Sequence, residues 1–302
     1  MTAPTTVQRP TLGILWMLGS GLSFVAVTGI VRWLGTDLPA AQSAFIRFAF
    51  GLAFLAPTLV AVLRAGLPEG TWPLFALRGA LHTAAVTFWF FAMARIPVAE
   101  VTAIGYLNPV VVTLGAALVF GEKLAARRIA AVGVALLGAL VVLRPGVRDI
   151  EIGHVSQLGA AVCFGISYLV AKRLSERVSA GAVVAMMSLT VTIGLAPFAA
   201  AVWVPVTVEQ LVALALVAVF ATLGHYCMTR AFSEAPLTVT QPVTFLQLVW
   251  ATLLGALVFG EAVDPFVILG GAMIIAAISY ITWREAVLRR AQVTPPVGAT
   301  KG

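Results

Sequence analysis

The chain carries one sequence pattern twice, at a nearly constant distance. The sequence Leu-Val-Phe-Gly-Glu occupies residues 118–122 and returns at 257–261, an offset of 139. Leu-Ala-Pro occupies 55–57 and returns at 195–197, an offset of 140. A constant offset over most of each half indicates two homologous halves joined near residues 145–152. If each half crosses a membrane an odd number of times, the two halves lie upside down relative to each other, an architecture typical of carriers.

The composition indicates that lipid is the solvent of this chain. Hydrophobic residues make up 61% of the sequence and charged residues 10%, whereas ordinary soluble domains carry roughly 25% charged residues. A chain this apolar lacks the polar side chains to cover a soluble globule. The long, frequent apolar runs therefore predict membrane-spanning helices.

The apolar runs predict ten spans, each close to the roughly 20 residues that a crossing helix needs. The spans are 12–34, 39–62, 74–93, 98–119, 127–143, 154–175, 180–203, 208–232, 237–259 and 265–284. The predicted fold is an all-α integral membrane protein of ten transmembrane helices, in two inverted five-helix repeats at 12–146 and 147–285. Residues 1–11 and 286–302 are predicted to be disordered tails. The first apolar run is too long for a signal-peptide core, so we expect it to be a retained helix.

The distribution of Lys and Arg predicts the orientation. With both termini on one side, most of the 19 Lys and Arg residues fall on that side. The positive-inside rule then places both termini in the cytoplasm. Because the basic residues are spread among loops rather than gathered with aromatics on one face, a nucleic-acid partner is not expected.

The motifs of several other classes are missing from the sequence. There is no Gly-rich phosphate loop, no His-Glu-x-x-His, no Cys/His metal cluster and no Gly-x-Ser-x-Gly elbow. There is also no Arg ladder of a voltage sensor and no repeated filter element. These observations argue against ATP, a metal and a cofactor, and leave a secondary carrier as the leading class. A membrane-embedded enzyme and a channel remain as alternatives.

Several segments together resemble the EamA family of the drug/metabolite transporter superfamily. They are Arg47 within Phe-Ile-Arg-Phe-Ala (45–49), residues 94–104, the Asn-Pro pair at 108–109, both Phe-Gly-Glu repeats and Leu-Arg-Pro-Gly at 143–146. The resemblance covers about residues 12–285. It implies a ten-helix inner-membrane carrier with a central cavity between inverted halves. Members of the family move amino acids, amines, nucleosides, riboflavin or S-adenosylmethionine, either inward or outward.

Helical spacing predicts which side chains face such a cavity. In the fourth span Thr102, Tyr106, Pro109 and Thr113 share one helix face, and Asn108 precedes the proline. Adding 139 to three of these positions gives a matching set in the ninth span: Gln241, Phe245 and Thr252. Ordinary helix packing by hydroxyl and amide groups is the alternative explanation.

A second stripe lies in the third span, where Arg78, His82 and Trp89 share a face. Arginine in a membrane normally faces the bundle interior or water, although Arg78 is near enough to the membrane edge to extend its charge outward. Trp16 shares a face with two serines and is a further cavity candidate. His82 and His225 are titratable groups within spans, either proton carriers or neutral hydrogen-bonded side chains.

Arg47 is too deep in the second span to reach the membrane edge easily, so it is predicted to pair with a carboxylate, with Glu100 as the candidate. This pair either gates the cavity or fixes two helices together. Glu100 also stands in the first turn of its helix, where the helix dipole favours an acid. Glu122 and Glu261 each follow a glycine that can end a helix, and each can favour the start of the next helix.

The sequence therefore predicts a secondary carrier of a small polar or zwitterionic metabolite, with a proton as a candidate coupling ion. Export of an amino-acid-like compound is the leading expectation. Uptake of a vitamin or nucleoside-like compound, such as riboflavin or S-adenosylmethionine, is the alternative.

Overall fold

All the regular elements in the described residues are helices. The computed structural model describes residues 10–108, 110–111, 114–115, 126–147, 149–175, 177–234 and 243–293. The helices in these ranges are α1 Pro10–Leu34, α2 Ala40–Ala65, α3 Trp72–Met93, α4 Val98–Gly105, α5 Ala126–Leu143, α6 Ile152–Ser175, α7 Ala180–Ala201, α8 Val208–Glu234, α9 Leu246–Phe259 and α10 Pro265–Val293.

Most helix ends lie close to the predicted span ends, with three clear differences. The α4 helix, predicted over 98–119, ends at Gly105 before a turn at 106–107, and α9, predicted over 237–259, begins at Leu246 after a turn at 245. The sequence has a proline close to each break, at 109 and 242, and proline lacks the backbone N–H that a continuous helix needs.

The α10 helix continues to Val293, whereas residues 286–302 were expected to be disordered. The extension follows from the sequence Ala-Val-Leu-Arg-Arg-Ala-Gln-Val, which is rich in good helix formers and holds no proline before Pro295. The remainder of the predicted C-terminal tail lies outside the described residues, as do parts of the fourth and ninth spans.

Six of these helices are long and apolar enough to cross a membrane: α1, α2, α3, α6, α7 and α8. Shorter apolar stretches occupy Ile129–Leu143, Leu246–Phe259 and Pro265–Ile281, in α5, α9 and α10. Large apolar side chains on the outside of the bundle, such as Leu137, Ile193 and Leu257, are more than half exposed. In a soluble protein such a surface would be unstable, and in a bilayer it contacts lipid.

The two halves of the chain interlock rather than packing as separate units. The closest partner of α1 is α8, and the closest partner of α3 is α6, which is the same pairing after the two halves are exchanged. The pairs α2 with α7, α5 with α10 and α4 with α9 each join a helix to its own counterpart. The contact pattern thus has the two-fold symmetry of the sequence repeat.

The pairing of α5 with α10 shows how closely these helices approach. Ala131, Ala135 and Ala139 form a buried stripe on α5. A Cβ atom added to Gly138 would lie 2.7 Å from the carbonyl oxygen of Gly270, closer than real Cβ contacts. Small residues thus bring the two backbones into direct contact, as in other membrane helix pairs.

Candidate functional site

A cavity lies at the centre of the bundle, where seven helices meet. It has about 240 Å³ of water-accessible volume. Its lining comes from both halves of the chain: Phe24 and Thr28 (α1), Arg47 and Phe48 (α2), His82, Val86, Trp89 and Phe90 (α3), Val101, Thr102, Gly105, Tyr106 and Asn108 (α4 and the turn after it), Gln157, Phe164 and Tyr168 (α6), Ala221, His225 and Met228 (α8), and Gln247 (α9).

Much of this lining consists of positions that correspond in the two repeats. Two pairs of lining residues are 140 apart and four are 139 apart. These pairs are Phe24 with Phe164, Thr28 with Tyr168, His82 with Ala221, Val86 with His225, Trp89 with Met228, and Asn108 with Gln247. Because both members of each pair face the same space, the cavity lies on the pseudo-two-fold axis that relates the halves.

One wall of the cavity is aromatic. Phe164 and Tyr168 stand one turn apart on α6, and their rings stack at 6.1 Å and 13°. Trp89 meets Phe164 edge to face at 6.1 Å, and the His82 ring approaches Phe164 at 5.0 Å. Such a wall favours flat, unsaturated ligands, which gain both apolar burial and ring contacts.

Amide and imidazole groups supply the polar part of the lining. The Nε2 group of Gln157 donates to the Val101 carbonyl oxygen at 2.9 Å, while its Oε1 atom is buried and has no hydrogen-bond partner among the described residues. The same holds, within that part of the chain, for the buried Oδ1 atom of Asn108. His82 Nδ1 lies 3.2 Å from Ser167 Oγ. Buried acceptors without donors carry a free-energy cost that a ligand N–H group removes.

The two arginines within the bundle have different surroundings. Arg47 lines the cavity, and its guanidinium lies 4.0 Å from the centroid of the Phe48 ring. Arg78 is buried outside the cavity lining, where it donates to the Val183 carbonyl oxygen at 3.0 Å and contacts Met187 Sδ at 3.2 Å. Arg78 therefore fastens α3 to α7 and does not extend its charge to the membrane edge.

Glu100 has a different partner from the predicted one. Its Oε2 atom lies 2.5 Å from His154 Nε2, and both side chains are buried. The expected pair with Arg47 does not form within the described residues, because Glu100 stands at the start of α4 and meets the start of α6, whereas Arg47 faces the cavity from α2. The positions of Arg47 and Glu100 along their helices predicted similar depths in the membrane. They did not show the direction in which each side chain points.

Glu261 also acts on a different helix from the one expected. Gly260 ends α9 in the left-handed conformation, with a φ of 63°, as predicted. Glu261 then accepts from the backbone N–H of Val98 at 3.0 Å and from Arg32 Nε at 3.0 Å. It thus caps α4 rather than the following helix, α10, where Asp264 accepts from the Phe266 N–H instead. Glu122 lies outside the described residues.

The other sequence candidates are divided between the cavity and its surroundings. His82, Trp89, Thr102, Tyr106 and Asn108 line the cavity. Three candidates lie outside its lining: Phe245 packs edge to face on Tyr106 at 5.5 Å, Trp16 packs on Tyr226 at 5.9 Å, and Thr252 donates to the Leu248 carbonyl oxygen at 2.8 Å. Pro109, Thr113 and Gln241 lie outside the described residues.

Three polar lining residues were not singled out from the sequence. Gln247 stands 139 residues after Asn108, so the repeat offset already contained the signal that identifies it. Thr28 corresponds to Tyr168 of the second repeat, 140 positions later, so the repeat offset pairs it with an aromatic residue. Gln157 corresponds to Met17. Because that counterpart is apolar, the repeat gave no signal that Gln157 lines the cavity.

The membrane-length helices and the internal polar cavity define a multi-pass membrane protein with a site for a small molecule. Comparison with known proteins identifies its family. Residues 11–144 and 151–283 each match the EamA-like transporter family. This chain belongs to that family, and is therefore a membrane-embedded transporter of the drug/metabolite transporter superfamily.

Similar proteins have several different named substrates. A riboflavin transporter of Rhizobium johnstonii is 30% identical over 92% of this chain and 93% of its own. An S-adenosylmethionine uptake transporter of Rickettsia bellii is 26% identical over 91% and 94%. A pseudopaline exporter of Pseudomonas aeruginosa is 26% identical over 88% and 94%. A crystal structure 19% identical in sequence shares the fold, with a TM-score of 0.57 over 94% of this chain and 97% of that chain.

Proposed function

We propose that this protein is a secondary carrier that moves one small polar or zwitterionic metabolite at a time by alternating access. In this proposal ten spans form two inverted five-helix repeats in the cytoplasmic membrane, with both termini in the cytoplasm. Five is an odd number, so the sequence repeat implies inversion. The distribution of Lys and Arg supports the orientation, and the exchange-symmetric helix pairing supports equivalent roles for the two halves.

The observation that carries the proposal is that the cavity is lined by corresponding residues of both repeats. A site on the axis between inverted units can be opened to either side of the membrane by equivalent movements of the two halves. A lipid-facing groove or a one-sided enzyme pocket has no need for this arrangement. The cavity is therefore the proposed substrate site.

The lining bears on the choice between the two cargo classes. Export of an amino-acid-like compound requires groups for an ammonium and a carboxylate, and no acidic side chain lines the cavity among the described residues. The wall of Trp89, Phe164 and Tyr168 instead favours the ring-bearing class. Within that class riboflavin carries no ammonium group, whereas S-adenosylmethionine carries one that the described lining leaves without an acid. We propose the ring-bearing class as the cargo, with a proton as coupling ion and His82 and His225 as its candidate carriers.

Transport in proteoliposomes tests this proposal. Labelled riboflavin, S-adenosylmethionine and leucine are offered in both directions, with and without a pH gradient. A matched pair of variants on α8 tests the cavity. Met228→Trp introduces a large side chain at a lining position, whereas Leu223→Trp introduces the same side chain on the exposed face of the same helix. Gel filtration and melting temperature check that both variants fold.

A carrier gives saturable uptake and counterflow of a ring compound, and a pH gradient changes its rate. We expect Met228→Trp to lower the rate at least ~10-fold, because one added ring fills much of the space, and Leu223→Trp to retain it. Uptake that rises linearly without counterflow indicates a channel, and chemical conversion of the compound indicates an enzyme. Failure of all three compounds contradicts the proposed cargo range.

A further inference from the structure

Arg47 is the arginine that faces the central cavity, and the described lining contains no acidic side chain to balance its charge. Several other arginines of the described residues have hydrogen-bond acceptors. Arg32 meets Glu261, Arg144 meets Asp264, and Arg78 donates to a backbone carbonyl oxygen. For Arg47 the contact within the described residues is the face of the Phe48 ring. Its N–H groups therefore remain available to a ligand.

An available guanidinium in the middle of a membrane protein needs an explanation. A charged group at this depth is costly unless it faces water or a partner, so its presence indicates function by default. Guanidinium presents paired N–H donors that match the two oxygens of a carboxylate or the oxygens of a phosphate. A ring contact on one side leaves the donors free to bind an anion at the edge of the guanidinium plane.

The second repeat supports a ligand-specific role for this charge. The residue corresponding to Arg47 is Met187, 140 positions later. Met187 is buried and contacts the Arg78 guanidinium, so the corresponding position of the second repeat packs without a charge of its own. Helix packing alone therefore does not require an arginine. The positive charge is present in one repeat and absent at the corresponding position of the other.

The other groups that line the cavity indicate the chemistry of the rest of the ligand. The aromatic wall of Trp89, Phe164 and Tyr168 favours a planar ring. The unpartnered oxygens of Asn108 and Gln157 accept hydrogen bonds, so they favour a ring that carries N–H groups. A heteroaromatic ring and an anionic substituent thus meet complementary parts of a single cavity.

Building on the proposed carrier function, we infer that the transported molecule joins a planar, N–H-bearing ring to a carboxylate or phosphate group, and that Arg47 binds this anionic group. The ring lies against the α6 wall, and the anion lies against α2. Substrates that lack the anionic group bind through the ring alone.

Matched pairs of compounds test the inference with the full-length protein in lipid nanodiscs, using calorimetry. Riboflavin and riboflavin 5′-phosphate differ in a phosphate, and indole-3-ethanol and indole-3-acetate differ in a carboxylate. The two pairs distinguish the two kinds of anion. We expect the anionic member of at least one pair to bind about 10- to 100-fold more tightly, the range for a charge-assisted contact. Inorganic phosphate and acetate alone should bind far more weakly than the joined compounds.

Three variants identify the residue. Arg47→Met installs the residue of the second repeat and should abolish the preference for the anionic member, with the affinity for the neutral member changed less than about threefold. Arg47→Lys should restore part of the preference because the charge is kept, and it remains informative if the methionine variant does not fold. Arg64→Gln removes an exposed charge at the end of the same helix and should leave the preference intact.

Equal affinity for both members of each pair in the wild-type protein overturns the inference, and so does an equal loss for both members in Arg47→Met. Counterflow measurements decide separately whether the proposed carrier function holds. If counterflow of a neutral ring compound persists without any anionic preference, only the inference fails. If no compound shows saturable counterflow, the carrier proposal itself fails.

Discussion

The two repeats supply corresponding positions to one cavity but fill them with different side chains. His225 corresponds to Val86, and both line the cavity, so a titratable group in one half faces an apolar group in the other. The counterpart of Arg47 is Met187, which lies outside the described lining and contacts Arg78. In the proposed alternating-access cycle, the backbone symmetry serves the equivalent movement of both halves. The chemical asymmetry then serves recognition in the proposed site, because a ligand without two-fold symmetry is bound best by an asymmetric site.

The same contrast appears at the ends of the helices. Glu100 and His154 join α4 to α6 through a buried contact, and their counterparts in the other repeat are Val239 and Ile14. One copy of the helix junction thus has a polar pair where the sequence of the other copy has two apolar residues. Replacing a residue by its own counterpart therefore tests what the difference contributes, and each prediction below uses such a replacement.

The largest effect on stability is expected from the Glu100–His154 pair. Glu100→Val or His154→Ile alone breaks the contact between the two side chains while the remaining polar group stays buried, and should lower the free energy of unfolding by about 3–5 kcal/mol. The double variant removes both polar groups together and should cost clearly less than the sum of the two single changes. Unfolding in mixed detergent micelles measures all four proteins of this cycle.

Strict additivity in that cycle would contradict the assignment, because independent losses would mean that the two side chains do not interact. Gln42 offers a control elsewhere in the bundle. It exchanges two hydrogen bonds with the backbone of Val204, so Gln42→Leu should be additive with Glu100→Val, since the two sites share no partner in the part of the chain that the structure describes.

A smaller effect is expected where the halves meet at α5 and α10. Gly270 corresponds to Ala131, but the added Cβ of Gly270→Ala would collide with the carbonyl oxygen of Gly138 and approach Val142 Cγ2 to 2.7 Å. Because these are backbone and packed atoms, the helices must separate, at a cost of about 1–3 kcal/mol. The melting temperature in detergent measures the loss.

Gly133→Ala is the matched control on α5, since its Cβ would meet nothing within 4 Å. It should be neutral or stabilising by up to about 1 kcal/mol, the helix propensity gained on replacing glycine. An equal loss in both variants would show that glycine flexibility rather than close approach matters in this helix pair.

The sequence predicted the helical architecture and part of the site for identifiable reasons. Hydrophobic run length located most helices within a few residues but did not predict the breaks after Gly105 and before Leu246. Helical spacing selected Thr102 and Tyr106, and the Asn-Pro pair added Asn108; all three line the cavity. These signals are periodic along the chain, so one sequence suffices to detect them. The resemblance to the EamA family rested on segments such as residues 94–104, and the family match over both halves of the chain confirms it.

The remaining contacts depend on the directions in which side chains point, and a single sequence does not specify these directions. The partner of Glu100 is His154, from the start of another helix, and Arg78 bonds to a backbone carbonyl on α7. Gln157 reaches the cavity from a position whose counterpart is Met17. Each of these contacts is set by how helices rotate against each other, and neither spacing nor composition determines that rotation.

A modest effect is expected at the ion pair between Arg32 and Glu261. Lys172 is the counterpart of Arg32, so Arg32→Lys installs the cation of the other repeat. Lysine keeps the charge but loses the Nε donor that meets Glu261 Oε1 at 3.0 Å. Because both side chains are partly exposed, the expected loss is about 0.5–1 kcal/mol. Arg32→Ala should lose more, and an equal loss in both variants would mean that the geometry rather than the charge is responsible.

The smallest effect is expected at Tyr106, whose counterpart is Phe245. The Tyr106 hydroxyl lies 3.4 Å and 3.5 Å from the carbonyl oxygens of Thr244 and Phe245, which is long for a hydrogen bond. The ring itself packs edge to face on Phe245 at 5.5 Å and faces the cavity. Tyr106→Phe keeps the ring contact and should change the free energy of unfolding by less than about 0.5 kcal/mol.

Transport kinetics make this last replacement informative about the cargo. If the ring alone contributes to binding, Tyr106→Phe should change the KM for a ring-bearing substrate less than about threefold, while Tyr106→Ala, which also loses the ring contact, should change it more. A rise in KM of tenfold or more in Tyr106→Phe would show that the hydroxyl bonds the cargo directly. The two repeats would then differ in recognition at the α4–α9 contact as well as at Arg47.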